Sequence, residues 1–268
     1  MQEALQNVAM TAADWIAAVI PQPTPDQAAL GNCRIISHRG EHDNRSVFEN
    51  TLSAFDIARA GGVWGVECDI RWTADLVPVV SHDACGQRLF GNPARIDALA
   101  FSELRQQIPL IPSLAELIAE FGDNTHLMIE IKDEHYPQPQ QQAVILEEHL
   151  SGLVAGADFH FLALDPDLFS RIPFLPREYC YPVAELNVTR LSHAAIESGC
   201  GGLSGHFYLV NNAVKQRHES AGQRVGTGFI SSKNCLFREL NRGIEWIFSN
   251  DAVRIQEIRD RYLALGTQ

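Results

Sequence analysis

The chain has 268 residues, enough for one large domain or two small ones with a well-filled core. Hydrophobic residues make up 46% and charged residues 20%, which excludes a disordered or fibrous chain. The net charge is −12, from 33 acidic against 21 basic side chains, and no basic run offsets it; nucleic acid and anionic membranes are therefore poor partners.

The first residues, "MQEALQNVAMTAADWIAAVIPQP", lack a basic start and carry Glu3 and Asp14, which makes a poor signal peptide. Val8, Ala12, Trp15, Ile16 and Val19 fall at helical spacing, and Pro21, Pro23 and Pro25 then stop the helix. Residues 1–30 are thus expected to form an extra helix and a Pro-rich connector, with the main domain over 31–268. No apolar stretch approaches the ~20 residues of a membrane span, so no stable membrane insertion is expected. Six scattered cysteines with no CxxC pair predict free thiols in a reducing compartment, hence a cytoplasmic protein. Nothing in the chain speaks to oligomeric state.

From residue 33 onward short β-rich runs alternate with helical stretches. "RIISH" (34–38) precedes a helix over 49–62, and "GVECDIRW" (65–72) is followed by a helix over 111–122. "HLMIEIK" (126–132) leads to a helix around 138–154, and "FHFLAL" (159–164) to "PDLFSRI". Strands over 179–186, 201–208, 224–230 and 245–250 complete the set, each with a helix after it. Eight such β/α units over some 235 residues predict an α/β protein with a closed (β/α)8 barrel, a TIM barrel. A doubly wound open sheet is the alternative, but neither GxGxxG nor GxxxxGK[ST] occurs.

"VECDIRW" is an unusual buried strand because it holds two acids. Side chains at i and i+2 share a face, so Glu67 and Asp69 point one way while Val66, Cys68 and Ile70 point the other. In a barrel the apolar set meets the helices, which turns both carboxylates into the lumen. By the same parity Glu130 and Lys132 point inward, and His38 ends its strand. Three inward carboxylates repel one another unless one is protonated or a cation sits among them. Hard oxygen ligands would select Mg²⁺, Ca²⁺ or Mn²⁺. A salt-bridge network of the acids with Arg71 and Lys132 is the structural alternative.

The motifs "HRG", "ENTLSAFDIARAGG", "VECDIRWTADLVPVVSHD" and "IEIK" together resemble the glycerophosphodiester phosphodiesterase family, closely from about residue 34 to 132 and weakly again at "FRELNRGIEWIFSND". The resemblance implies a TIM barrel with one divalent cation, Mg²⁺ or Ca²⁺ and in principle Mn²⁺, held by Glu67, Asp69 and Glu130. His38 and His82 would be the general acid and base, with the assignment between them open. Arg39 and Lys132 would engage the phosphate, with Glu49 near the site. The implied substrate is a small-molecule glycerophosphodiester, hydrolysed to sn-glycerol 3-phosphate and an alcohol by water or by way of a cyclic phosphate. Asp83 is expected to orient a loop or a histidine, Asp251 to cap a helix, and His206 is a candidate for the pocket wall. The chain departs from the family at Phe48, in the charged loop "EHDNRSVF", after "HD", and at "GTGFI", where an aromatic wall is expected to be missing. Two alternatives stand beside this reading. One is a phospholipase-D-like or lysophospholipase activity, which wants an exposed apolar rim that no loop obviously supplies. The other is an inactive barrel that only binds a phosphorylated ligand.

Overall fold

The computed structural model of the protein describes residues 16–266. Its sheet contains β1 (Arg34–His38), β2 (Gly65–Trp72), β3 (Pro78–Val80), β4 (His126–Ile131), β5 (Phe159–Ala163), β6 (Cys180–Ala184), β7 (Gly202–His206), β8 (Arg224–Gly228) and β9 (Trp246–Ser249). Eight strands run parallel in the order β1-β9-β8-β7-β6-β5-β4-β2, and pairing of β1 with β2 closes the ring. This is the predicted (β/α)8 barrel, and each predicted strand has its counterpart. β3 stands outside the ring, antiparallel to the end of β2 from Ile70↔Val80 to Trp72↔Pro78.

Two stretches differ from the expected rhythm. After β5 the chain forms no α-helix, only the short 3₁₀ helices Pro166–Arg171 and Arg177–Tyr179. Prolines at 166, 173 and 176 interrupt any longer helix there. Between β2 and β4 lies an unanticipated insertion: β3 and the helices Gln87–Phe90 and Phe101–Gln107 close over an apolar cluster of their own, Val79, Ile96, Leu104, Ile108 and Ile111. Phe48 reaches this insertion, its ring 5.3 Å from that of Phe90.

At the N-terminus residues 16–19 are helical, and Asn234 donates a hydrogen bond to the Ala18 carbonyl at 2.7 Å. Val8, Ala12 and Trp15 of the expected helix lie outside the described residues. A short helix, Gln27–Asn32, follows the prolines and runs across the 30/31 boundary, buried through Leu30.

The alternation read from "VECDIRW" sorts the core into two layers. Val66, Cys68, Ile70, Ile129 and Ile131, at most 1% exposed, face the helices. Ile36, Met128, Leu162, Tyr181, Trp246 and Phe248 fill the barrel itself. At its N-terminal floor His126 Nε2 lies 2.7 Å from His160 Nδ1, and Trp64 stacks on His126 at 4.1 Å. The lumen is therefore plugged below and open only at the C-terminal mouth, where barrel sites lie.

Candidate active site

The mouth is built first by the turn after β1. Arg39 and Gly40 adopt left-handed backbone with φ of 59° and 78°. A Cβ on Gly40 would stand 2.7 Å from the Ala54 backbone, so glycine is required where the "HRG" turn crosses the next helix. That helix, Leu52–Ala60, is capped by Thr51, whose hydroxyl accepts from the Ala54 N–H. The cap places the preceding Glu49 and Asn50 over the barrel mouth. Asn50 donates to Asp69 Oδ2 at 2.8 Å, an orienting contact that the "ENT" triplet contains but strand parity could not reveal.

Glu67 and Asp69 on β2 and Glu130 on β4 point into the lumen, and Asp69 pairs in register with Glu130. One oxygen from each lies within 4.8 Å of the others, and all three residues are buried. Glu67 Oε1 has no hydrogen-bond partner among the described residues. Lys132 Nζ is 2.5 Å from Asp69 Oδ1 and also bridges to Glu130. Arg39 Nη1 donates to Glu49 at 2.9 Å, and its Nε lies 3.2 Å from Asp69 Oδ2. Arg71 does not join the cluster: its guanidinium donates to Glu134 at 2.7 Å and to the His82 carbonyl at 2.8 Å. The structural alternative is thus corrected, since Lys132 but not Arg71 meets the acids.

Two cations for three buried acids leave the cluster short of positive charge. Burial, together with the charges of Asp69 and Glu130, pushes the Glu67 carboxyl well above the usual carboxylate range. Burial also raises Glu130 despite Lys132. Asp69 is driven the other way: burial opposes ionisation, but Lys132 and Arg39 outweigh it and hold the carboxyl low. Asp69, with both Lys132 and Arg39 on it, is the stabilised acid, while Glu67 and Glu130 are pushed toward the neutral form.

The two histidines stand on this rim with different partners. His38 Nδ1 lies 2.7 Å from Asn250 Oδ1. An amide oxygen only accepts, so Nδ1 carries the proton and Nε2, 3.7 Å from Glu67 Oε2, faces the acids with its lone pair. Burial and the neighbouring Arg39 lower the His38 pKa to about 4. His82 Nδ1 lies 2.8 Å from Asp83 Oδ1, the orienting role expected of Asp83. Burial and Lys132 lower its pKa as well. Asp83 accepts in turn from Arg88 at 2.6 Å, and Arg88 reaches Glu49 at 2.7 Å. Arg88 and Asn250 were not singled out by the sequence. Asp251 occupies the N-cap position of the last helix, Ala252–Leu265, but its side chain makes no capping bond, contrary to expectation.

Several of these groups border a cavity of about 450 Å³. Its lining includes His38, Arg39, Glu67, His82, Glu130 and Lys132 on one side. His206 lies in the wall, as the sequence suggested. The aromatic wall expected to be missing at "GTGFI" is present in another form. Phe229 lines the cavity, its ring 5.1 Å from that of His206 and 6.2 Å from that of His38.

Fold and site together define a (β/α)8 barrel with a buried tri-carboxylate cluster, two adjacent cations and two histidines at its C-terminal mouth. Residues 38–166 match the glycerophosphoryl diester phosphodiesterase family. Glycerophosphodiester phosphodiesterase 1 of Bos taurus is 31% identical over 136 residues, which are 43% of this chain and 40% of that protein. The Homo sapiens protein of the same name is 34% identical over 112 residues, 33% of its length, so the chain spans about two fifths or less of these relatives. Glycerophosphodiester phosphodiesterase of Caldanaerobacter subterraneus is 24% identical over 233 residues, 81% of this chain and 93% of that one. Among solved structures, a phosphodiesterase of Oleispira antarctica in complex with the product sn-glycerol-3-phosphate superposes with a TM-score of 0.72 at 21% identity, covering 87% of this chain and 99% of that one. The glycerophosphodiester phosphodiesterase of Thermotoga maritima gives 0.70 at 21%, covering 84% and 98%. The chain is similar to the glycerophosphoryl diester phosphodiesterase family over residues 38–166 and shares its barrel fold with these solved structures.

Proposed function

We propose that this protein is a metal-dependent phosphodiesterase that hydrolyses glycerophosphodiesters to sn-glycerol 3-phosphate and an alcohol. The observation that carries the reading is the tri-carboxylate cluster: Glu67, Asp69 and Glu130 converge with one oxygen unpartnered, beside two oriented histidines. An all-oxygen donor set fits Mg²⁺, Ca²⁺ or Mn²⁺, and Glu67, Asp69 and Glu130 would hold the ion. When bound, such an ion supplies positive charge for the anionic phosphate and relieves the repulsion that raises the Glu67 and Glu130 carboxyls.

The remaining chemistry belongs to the side chains. Lys132 and Arg39 add positive charge in the cavity wall and would engage the non-bridging phosphate oxygens. His38 and His82 act as the general acid–base pair. One imidazole accepts a proton from the attacking oxygen as its bond to phosphorus forms; the other donates a proton to the leaving alkoxide as the second P–O bond breaks. Water is consumed, and the proton count balances. His38, with Nε2 free and Nδ1–H held by Asn250, is configured as the base, which leaves His82 as the acid held by Asp83. The product named for the Oleispira protein is the one expected here. The cysteines are free, and five of the six are buried, which fits a reducing compartment; we place the protein in the cytoplasm on that ground.

The test is release of glycerol 3-phosphate from glycerophosphocholine by the purified chain, with EDTA or with added Mg²⁺, Ca²⁺ or Mn²⁺, beside Glu67→Ala. Metal-dependent turnover that vanishes in the variant is the expected result. Turnover unaffected by EDTA or by Glu67→Ala would overturn the metal reading.

A further inference from the structure

The two histidines of the mouth differ in what carries them. His38 ends β1, a strand of the ring, whereas His82 follows β3, which stands outside it. The His82 side chain is 36% exposed, so packing alone leaves the imidazole free to turn away from the cavity. Its main chain is fixed: Arg71 donates to the His82 carbonyl at 2.8 Å, and the Ser81 hydroxyl donates to the Asp83 carbonyl at 3.0 Å. The ring is held by Asp83, the next residue of the same loop.

Arg88 in turn holds Asp83. It stands on the short helix Gln87–Phe90 of the insertion, which ends at Gly91 in left-handed backbone and is anchored by Phe90 against Phe48. Its Nε donates to Asp83 Oδ2 at 2.6 Å, and its two terminal nitrogens form a fork on Glu49, 2.7 Å to Oε1 and 3.2 Å to Oε2. Glu49 is 4% exposed and is fixed by Asn44 at 2.7 Å and by Arg39 at 2.9 Å. One guanidinium thus ties the Asp83 carboxylate to a buried anchor in the loop after β1, which the point charge of a lysine could not do. Burial opposes ionisation of Asp83, but the bonds from Arg88 and His82 outweigh it and hold the carboxyl below its usual range. An ionised Asp83 only accepts, so His82 keeps a proton on Nδ1 and offers Nε2 to the cavity it lines.

Resting on the phosphodiesterase reading, we propose that Arg88 is a positioning residue: it holds Asp83, and through it the His82 imidazole, where Nε2–H gives its proton to the leaving oxygen as the P–O bond breaks. The insertion between β2 and β4 is then part of the catalytic machinery and not only a cover packed on its own apolar cluster. Glu49 keeps Arg39 and Asn44 when Arg88 is removed, so the phosphate side of the site stays assembled.

The experiment measures metal-activated kcat/KM of the native chain, Arg88→Ala and Arg88→Lys on two diesters of glycerol 3-phosphate, one with choline and one with p-nitrophenol. Choline leaves as an alkoxide that needs a proton, whereas p-nitrophenolate leaves without one. Arg88→Ala is expected to lose about 10–100-fold on the choline diester, the scale for removing an outer support of a site. On the p-nitrophenyl diester it is expected to stay within about threefold. Arg88→Lys is expected to fall between the two on the choline diester. Arg88 is 46% exposed, so methylguanidinium can enter where its side chain has been removed and is expected to restore part of the loss, while NaCl of equal ionic strength is not. Equal losses on both diesters, or no loss on either, would overturn the inference and leave the phosphodiesterase reading intact. A second measurement stands apart from turnover. The native chain is expected to show a slowly exchanging His82 Nδ1 proton by NMR, assigned by its loss in His82→Asn and absent from Arg88→Ala. A resonance that persists without Arg88, or that is missing from the native chain, overturns the inference whether or not any diester is hydrolysed.

Discussion

The two ends of this barrel both bury titratable groups, and they bury them differently. At the floor His126 and His160 share a hydrogen bond, His126 Nδ1 donates to the Ala157 carbonyl, and Trp64, Tyr181 and Trp246 enclose the pair. Burial holds both rings neutral, with pKa values lowered to about 4 and about 3. At the mouth Glu67, Asp69 and Glu130 converge with an oxygen left unpartnered and two carboxyls pushed upward. A satisfied buried polar cluster is a packing element, whereas an unsatisfied one stores free energy that a ligand can release.

That contrast predicts opposite consequences of mutation. Glu67→Gln keeps the shape of the mouth but removes one of the repelling acids. Activity is expected to fall by ~10³-fold or more, several kcal/mol of transition-state stabilisation, while the melting temperature in EDTA stays level or rises. Steady-state kinetics beside calorimetry decide it; a variant that is both inactive and strongly destabilised would erase the distinction between the two ends.

Lys132→Met sharpens the same point from the other sign of charge. It strips Asp69 and Glu130 of their shared cation and should cost ~3 kcal/mol in EDTA, as expected when a buried charge loses its partner. Added Ca²⁺ or Mg²⁺ should restore part of that loss. Urea titrations with and without the ion measure both numbers.

At the floor the order reverses. His160→Ala opens a void among Tyr181, Trp246 and His126 and should lower stability by ~2–4 kcal/mol, the range for large core truncations. Its kcat/KM for glycerophosphocholine, measured well below the melting temperature, should stay within a few-fold of the parent, as expected for a change remote from the chemistry.

The smallest effect is a pH dependence. Folded His126 and His160 bind protons only near pH 4 and pH 3, whereas in the unfolded chain they would do so near ~6.5. The unfolded state therefore holds more protons between these limits, and stability must fall as pH drops from about 6.5 toward 4. Denaturation at pH 7 and pH 4.5 should show that slope, and His160→Phe should reduce it. An unchanged slope would mean the floor histidines are not the neutral pair described.

Much of the mouth was legible in the chain because the information is local. Alternation over "VECDIRW" and "MIEIK" orients Glu67, Asp69, Glu130 and Lys132 once strands are assumed, and "HRG" ends β1 with a turn that only glycine permits at position 40. The eight β/α units follow from periodicity alone. The insertion between β2 and β4 escaped because its helices are short and its apolar cluster is assembled from residues spread over Val79 to Ile111. Asn250 escaped for a different reason: it meets His38 only because β9 closes against β1, 212 positions away.

The sequence by itself determined the barrel, the inward set of acids and the two histidines, since strand parity and strand order depend on near neighbours. Which cation pairs with which acid, that Arg71 turns away to Glu134, and that Phe229 completes a wall with His206 were decided only by the tertiary structure. Those outcomes depend on ring closure, which fixes distances between side chains that no local spacing relates.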